Sequence, residues 1–367
     1  MLKDRMSHLL LIACKRSGNV DEIKYLVENG ADIHMSEDQS LIDACEKEHN
    51  LKIIKYLIEI GADVNAQNCW ALLNSCSNYN NLDVIKHLIE SGADVNAQRG
   101  QALIISCTEY TDVDVIQYLI ESGADVNAQS DQALINACSK LGNLDAIKYL
   151  IENGANVNSQ NGQALINACM NYNNLDVIKY LIENGADVHS QDDQAFIEIC
   201  LQNNNFDSFK FLMQNGANIN AQNGQALINA CSKSGDLKKV KILIEKGVDI
   251  HSQNDKAFIT ACLDDSKIEL FNFLVQSGAN IRTQNDQALI NACSQYENIN
   301  VVKHLVENGA DVNAQNGQAL VNACNNSLSL IIIKYLVENG ADKLHRDDKA
   351  AGRKWLRNQC SKWQAFN

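Results

Sequence analysis

Apolar residues recur along this chain in pairs of short clusters at helical spacing. In one stretch, the first cluster comprises Leu165, Ile166, Ala168 and Cys169. The second cluster comprises Leu175, Ile178, Leu181 and Ile182. Steps of three and four residues place each cluster on one face of a helix. The pattern predicts a short helix over roughly Gln163 to Asn171, a turn, and a second helix.

Polar residues and glycine mark the ends of the second helix. Asn173-Asn174 offers a turn and an N-cap, and Asp176 falls in the first turn, where the helix dipole favours negative charge. Gly185 suits the left-handed position that follows a helix. Ala186 to Gln191 is too short for another helix, so it is expected to be an extended loop or a hairpin arm that leads to the next first helix.

This unit repeats along the chain with a period of 31 residues. Eleven cysteines keep the period without a miss: Cys14, Cys45, Cys76, Cys107, Cys138, Cys169, Cys200, Cys231, Cys262, Cys293 and Cys324. A fixed period of this length means that one supersecondary unit stacks on copies of itself. Each cysteine is then the same small core position, and not a reactive group.

The repeating unit resembles the ankyrin repeat. The resemblance rests on Leu165-Ile166-Asn167-Ala168-Cys169, on the run from Asn174 to Gln191, and on the Gly-Ala-Asp or Gly-Ala-Asn that opens most loops. It implies an all-α fold, an ankyrin-type helix-turn-helix-loop solenoid of about eleven 31-residue repeats in a curved stack. We expect one continuous domain over residues 1–345 and a C-terminal capping helix or basic tail over 346–367.

The sequence departs from the family pattern where the first helix begins. The family unit has about 33 residues and opens this helix with Thr-Pro-Leu-His, whereas this chain has Gln-Ala-Leu-Ile and no proline anywhere. Capping is therefore expected from Asp131, Asp193, Asp255 and Asp286, which precede this motif. The Ile- and Asn-rich, proline-free sequence also resembles the ankyrin-repeat families of giant DNA viruses of amoebae.

Charge and composition exclude several classes of partner. The formal net charge is −14, which argues against binding to nucleic acid or to an anionic membrane surface. The apolar run from Leu9 to Cys14 is too short for a membrane span or a convincing signal sequence. Without such a signal, the cysteines are expected to be reduced, and the protein intracellular, in the cytoplasm of a host cell if it is viral.

No residue pattern points to catalysis. The sequence has no Gly-rich phosphate loop, no clustered metal ligands and no nucleophile with a placed base. We therefore predict no enzyme activity, no cofactor and no metal. The lysines of the second helices are expected to form a solvated, charge-balanced face. The glutamines from Gln67 to Gln315 are expected near the loop tips, either as a polar strip that binds a partner or simply as solubilising residues.

Positions that vary between repeats are the candidates for binding. In ankyrin-like stacks the end of the first helix faces a groove in which partners bind, and here it carries Tyr79, Tyr110, Leu141 and Tyr172 in consecutive repeats. A row of aromatic residues on a polar surface is typical of a binding hot spot. The alternative is that each tyrosine packs over its own turn. Trp70 stands where most repeats have glutamine and is a further candidate for partner binding, with packing against an adjacent loop as its alternative.

These observations favour a non-catalytic scaffold for protein–protein interaction. We expect a monomer that binds protein partners through its groove and loop tips, as a viral effector acting on host proteins if the viral resemblance holds. The alternative is a structural component that self-associates through the ends of the solenoid. The segment from Lys343 to Asn367 carries seven Lys or Arg and two Asp, a net charge of +5, together with Trp355 and Trp363.

Overall fold

The structure is a computed structural model that describes residues 2–16, 19–46, 50–78, 81–108, 112–139, 144–172, 174–232, 235–295, 298–325 and 330–341. Within these ranges the chain forms 22 α-helices and one 3-10 helix, and no strand. It divides into two compact units, residues 1–191 (unit 1) and residues 192–367 (unit 2). The C-terminal segment 346–367, predicted to be a cap or a basic tail, lies outside the described residues.

Odd-numbered helices are the first helices of the repeats, and even-numbered helices are the second. The first helices are α1 (Leu2–Lys15), α3 (Met35–Cys45), α5 (Ala66–Cys76), α7 (Ala97–Ser106), α9 (Ala128–Cys138), α11 (Ser159–Met170), α13 (Ser190–Leu201), α15 (Ala221–Cys231), α17 (Ser252–Ala261), α19 (Thr283–Ala292) and α21 (Ala314–Asn325). The second helices are α2 (Val20–Glu28), α4 (Leu51–Glu59), α6 (Leu82–Glu90), α8 (Val113–Glu121), α10 (Leu144–Glu152), α12 (Leu175–Glu183), α14 (Phe206–Gln214), α16 (Leu237–Glu245), α18 (Ile268–Gln276), α20 (Ile299–Glu307) and α22 (Leu330–Glu338). The 3-10 helix spans Asp265–Lys267 and directly precedes α18.

Helix, turn, helix and loop follow one another as the sequence predicts. Within each unit, first helices pack on the first helices of neighbouring repeats, and second helices on second helices. Cys169, Ile178 and Leu181 are fully buried between them. The second helix ends at Gly185 with φ of +87°, and the N–H groups of Gly185 and Ala186 donate to the carbonyls of Ile182 and Leu181. This is the left-handed helix end that the sequence predicts.

From α3 onward, the loop before each first helix differs from the extended loop or hairpin arm that the sequence predicts. It ends in a single left-handed turn, formed in α11 by Gln160, Asn161 and Gly162 with φ of +47°, +61° and +77°. The Gly162 N–H donates to the Asn158 carbonyl at 3.1 Å. Proline has its φ fixed near −65°, so it cannot enter such a turn. The position of the family's proline, Ala164, follows this turn in the right-handed part of α11.

The aspartates expected to cap the first helices serve a different purpose. Asp131 is the third left-handed residue of its turn, with φ of +59°, and its Oδ1 accepts from the N–H of Asn156 in the following repeat at 2.8 Å. Asp193, Asp255 and Asp286 accept in the same way from the N–H groups of Asn218, Asn280 and Asp311. These carboxylates therefore join one repeat to the next through main-chain N–H groups of the next loop.

Repeats with glycine at this position join to the next repeat through asparagine. Asn158 donates from Nδ2 to the Gly185 carbonyl at 2.8 Å and accepts at Oδ1 from the Asp187 N–H at 2.8 Å. Asn96, whose turn ends in Gly100, makes the same pair of bonds, and so does Asn65, whose turn ends in Cys69. The asparagine column therefore satisfies loop backbone groups, as predicted. Asn174, by contrast, does not cap α12 with its side chain, because its Nδ2 donates back to the Ala168 carbonyl.

Two lysines of unit 2 are buried in the helical core. Lys239 is fully buried in α16, at a position where other repeats have Val115 or Val177. Its ammonium donates to the carbonyls of Ile199, at 2.9 Å, and Gln202, and lies 3.7 Å from the Asp236 carboxylate. Burial lowers the pKa of Lys239. Lys267 similarly donates to the Cys231 carbonyl at 3.4 Å, so both lysines satisfy carbonyls at the end of a preceding first helix.

Candidate partner-binding surface

The glutamines near the loop tips form a hydrogen-bond ladder between repeats. The side-chain amide of Gln160 donates to the carbonyls of Gln129 and Ser130 at 3.3 and 3.2 Å, and to the side-chain oxygen of Gln132 at 3.0 Å. Equivalent bonds to the preceding repeat run from Gln67, Gln98, Gln129, Gln191, Gln222, Gln253, Gln284 and Gln315. These amides satisfy the carbonyls of the left-handed turns. The glutamine column is therefore structural, a role that the sequence pattern did not reveal.

Several lysines of the second helices lie over an aromatic ring of the following repeat. The ammonium of Lys24 lies 5.5 Å from the ring centre of Tyr56, and that of Lys86 lies 5.5 Å from the ring centre of Tyr118. The same contact joins Lys148 to Tyr180, Lys241 to Phe273 and Lys303 to Tyr335. Cation–π contacts at exposed sites contribute about 0.5–1 kcal/mol each. Besides pairs such as Lys334–Glu338, 3.8 Å apart, this face therefore has contacts between repeats that the sequence analysis did not predict.

Trp70 is exposed at the start of the right-handed part of α5, with 45% of its surface accessible. It occupies the position of Gln101 and Gln132, whose side-chain oxygens accept the ladder bonds of Gln129 and Gln160. The indole has no acceptor to offer, and the side chain of Gln98 donates to the Asn68 carbonyl. The tryptophan therefore replaces a structural residue on an exposed surface.

A second exposed apolar patch lies at the end of α11. Tyr172, which follows this helix, is 51% exposed, and Met170 at its last position is 43% exposed. Met170 was not among the residues singled out from the sequence, although it lies in the same variable stretch after Cys169. Large side chains left open at the end of a first helix suit contact with another protein.

Of the five residues predicted to bind a partner, the structure describes Trp70 and Tyr172. Tyr79, Tyr110 and Leu141 lie outside the described residues. Trp70 and Tyr172 both lie in unit 1, but they belong to repeats that are not adjacent, at the beginning of one first helix and after the end of another. They therefore form two separate exposed positions, and not one cluster.

The cysteine column offers no reactive thiol where it is described. All eleven lattice cysteines are buried, and burial raises the pKa of Cys45, Cys76 and Cys231 to about 12. These thiols stay protonated near neutral pH, and the protonated thiol is a weak nucleophile and metal ligand. Over the described ranges, no three His, Cys, Asp or Glu side chains are placed to hold a metal ion. Among the helices that the structure describes, none has the length and apolarity to span a bilayer.

Comparison with known families agrees with this architecture. The family model described as "Ankyrin repeats (3 copies)" matches residues 2–68, 72–161, 129–192, 165–254 and 258–347. The chain belongs to the ankyrin repeat family. Ankyrin repeats generally mediate protein–protein interaction and are typically non-catalytic.

Two further comparisons add little to the family assignment. The crystal structure of the human ASB11 ankyrin repeat domain is similar, with 23% sequence identity and a TM-score of 0.36. The match covers 64% of the ankyrin chain described here and 96% of the ASB11 chain. No curated protein matches the sequence.

Proposed function

We propose that this protein is a non-catalytic scaffold that binds one or more partner proteins through the first-helix side and loop tips of its repeats. The proposal rests on Trp70, an exposed indole at a position where other repeats use glutamine to join the ladder. At Trp70 this bond of the ladder is lost, because the indole has no acceptor. An exposed tryptophan on a rigid surface is, however, the residue type most enriched in binding hot spots.

Tyr172 and Met170 supply a second apolar contact in the same unit. Hot-spot residues act through burial of large side chains against a partner, surrounded by polar groups that exclude water. Around Trp70 the ladder glutamines provide such a polar surround, since their amides are already held by the neighbouring turns. We propose Tyr79, Tyr110 and Leu141 as further contacts of the same surface, as their positions in the repeat suggest.

The double variant Trp70→Gln/Tyr172→Asn is expected to lose a captured partner. Both new residues occur at the same positions of neighbouring repeats, as Gln101 and Asn203, so the fold should tolerate them. Loss of one hot-spot side chain typically reduces binding by about 2 kcal/mol or more, roughly thirtyfold. The measurement is affinity capture from cell lysate by wild type and variant, followed by titration of the captured protein.

Tyr25→Ser is the matched control for this experiment. Tyr25 is 60% exposed on α2, on the second-helix side, so its removal should leave capture unchanged. Thermal melting of all three chains ensures that folded proteins are compared. If the double variant retains the partner as well as wild type does, Trp70 and Tyr172 are not the site.

We propose in addition that the protein is a monomer and that it functions inside cells. If it is viral, as the resemblance to giant-virus sequences suggests, it acts on host proteins. Self-association through the ends is the second candidate function. It is favoured by Leu9 and Ile12, which are 48% and 45% exposed on α1.

Sedimentation velocity over a wide concentration range separates these two functions. For a monomeric scaffold we expect a sedimentation coefficient that does not change with concentration. For assembly through the N-terminal repeat, the sedimentation coefficient of wild type should rise with concentration. In the variant Leu9→Asp/Ile12→Asp this rise should be absent. A rise that survives in this variant would place the contact elsewhere on the chain.

A further inference from the structure

The indole of Trp70 is an aromatic surface that the surrounding repeats leave open. It is 45% exposed, and no hydrogen bond, ring contact or cation–π contact joins its side chain to another described residue. Among the described second helices, by contrast, five rings have a lysine of the preceding repeat above them. The ammonium of Lys24, for example, lies 5.5 Å from the ring centre of Tyr56. The contact that the stack makes at these rings is not made at Trp70.

The loops on either side of the Trp70 repeat boundary bring two carboxylates close to the indole. Trp70 directly follows Cys69, whose thiol donates to Asn65 Oδ1 at 2.9 Å. The same oxygen accepts from the Asp94 N–H at 2.8 Å, so the loop of the following repeat lies against this turn. Burial raises the pKa of the Cys69 thiol, and the carboxylates of Asp94 and Asp63 raise it further. Two negative charges therefore act on the residue next to Trp70.

The preceding repeat adds two more acidic groups near Trp70. Gln67, in the same turn as Cys69, donates from Nε2 to the Glu37 carbonyl at 3.2 Å and to Gln39 Oε1 at 3.0 Å. The amide of Gln39 in turn donates to Asp43 Oδ1 at 2.7 Å. Glu37 is exposed, and neither its carboxylate nor that of Asp43 forms an ion pair with a described residue. Both carboxylates therefore keep their negative charge without a cation of the same chain beside them.

The charges around Trp70 sum to a negative value. Six carboxylates and one arginine belong to the loops and first helices of three consecutive repeats, residues 32–45, 63–76 and 94–107. Their net charge is −5. Among the six, Asp38 is paired with His34 at 2.9 Å, whereas the arginine, Arg99, is exposed and makes no cation–π contact with the indole. A surface of this charge attracts a basic partner and repels an acidic one.

We propose that Trp70 binds an arginine or lysine side chain from a basic segment of the partner protein. The inference rests on the proposed scaffold function, because it names the chemistry of the group that Trp70 contacts. Of the aromatic side chains, the indole offers the strongest cation–π surface. The carboxylates of Asp63, Asp94 and Glu37 stabilise a cation held beside it. Arginine is favoured over lysine, since its planar guanidinium also stacks on an aromatic face.

Fluorescence anisotropy of a labelled hexa-arginine peptide, titrated with the full chain at physiological ionic strength, tests the proposal. Trp70→Phe keeps an aromatic face and should bind the peptide within about twofold of wild type. Trp70→Leu keeps an apolar side chain without a π face, and its affinity should be about fivefold lower. A hexa-citrulline peptide, which has nearly the same shape but no charge, should bind neither wild type nor these variants. Circular dichroism ensures that folded chains are compared.

Matched aspartate variants separate the local charge from the charge of the whole chain. Asp63→Asn/Asp94→Asn removes two charges near the indole, and the loops should tolerate it, because Asn156 accepts the same loop N–H bond in another repeat, at 3.0 Å. Asp187→Asn/Asp249→Asn removes two charges from the same position of other repeats. The first variant should bind hexa-arginine about fivefold more weakly than wild type, and the second should lose less than about twofold.

Equal affinity of hexa-arginine for Trp70→Phe and Trp70→Leu would overturn the proposal, because the π face would then have no role. Binding of hexa-citrulline as tight as that of hexa-arginine, or equal losses in the two aspartate variants, would also overturn it. Failure of the scaffold function would appear separately, as retention of the captured partner by Trp70→Gln/Tyr172→Asn. If that variant loses the partner while hexa-arginine binds Trp70→Phe and Trp70→Leu equally, the scaffold function stands and the recognition of a cation is rejected.

Discussion

Replacing Lys239 with alanine is expected to lower the free energy of unfolding of unit 2 by about 3 kcal/mol. The side chain is fully buried, and its ammonium donates to the carbonyls of Ile199 and Gln202. Alanine removes these donors and the apolar stem beside Phe209, whose ring centre lies 5.9 Å from the ammonium. The change leaves a cavity and buried carbonyls with one donor fewer, and both effects destabilise the fold.

Lys238→Ala is the control for this prediction. Lys238 precedes Lys239 in α16 and is exposed, so its loss should change stability by less than about 0.5 kcal/mol. Hydrogen exchange of the α13 and α16 amides is the suitable measurement, because the stability of a repeat array is a sum of local contributions. Equal exchange in the two variants would show that the Lys239 ammonium has no structural role.

The buried ammonium also predicts the direction of a pH effect. Burial lowers the pKa of Lys239 below its ordinary value of 10.5, so the folded chain releases this proton at a lower pH than the unfolded chain. Between the lowered pKa and 10.5 the unfolded state binds more protons, and stability therefore rises with pH. Compared with Lys239→Met, wild type should gain stability across this window, as chemical denaturation at a series of pH values would show.

Gly162→Ala is expected to destabilise unit 1 by about 2–3 kcal/mol. Gly162 has φ of +77°, and a Cβ there would meet the Oγ and Cβ of Ser190 at 2.3 and 2.5 Å. Atoms cannot approach so closely, so the left-handed turn must move away from the next loop. That movement strains the bonds by which Asn158 holds the Gly185 carbonyl and the Asp187 N–H.

Gly185→Ala separates the clash from the backbone strain. Gly185 also has positive φ, +87°, but a Cβ there meets nothing within 4 Å. This variant should lose only about 1 kcal/mol, the usual difference for a left-handed position. In urea denaturation, Gly162→Ala/Ser190→Gly should lose less than the sum of its single variants, because the clash is relieved. Additive losses would show that the two residues do not compete for space.

The repeat period made most of the fold predictable. A residue that returns every 31 positions meets the same neighbours each time, so the pattern of one unit predicts them all. The helices near Gln163 and Leu175, the glycine helix end at Gly185 and the buried cysteines were predicted in this way. Local helical spacing and the conformational freedom of glycine are properties of the sequence itself.

The binding surface was less predictable than the fold. Trp70 was identified because it differs from its column, and Tyr172 because it belongs to a row of tyrosines at a variable position. Both are exposed. Whether a side chain is exposed, however, depends on how the repeats pack. For this reason Met170 was missed, and the sequence left open whether the glutamine column binds a partner or is solubilising. The pattern identifies which residues vary, but not which of them reach solvent.

The sequence by itself determined that this protein is a stack of helical pairs, because period and apolar spacing depend only on residue order. Only the tertiary structure decided how neighbouring repeats are joined. The left-handed turn at Gln160, the asparagine and aspartate bonds between loops, and the buried donor at Lys239 all depend on atoms one repeat apart. Such contacts form only when residues about 30 positions apart in the chain lie within hydrogen-bond distance. Only the folded chain brings them that close.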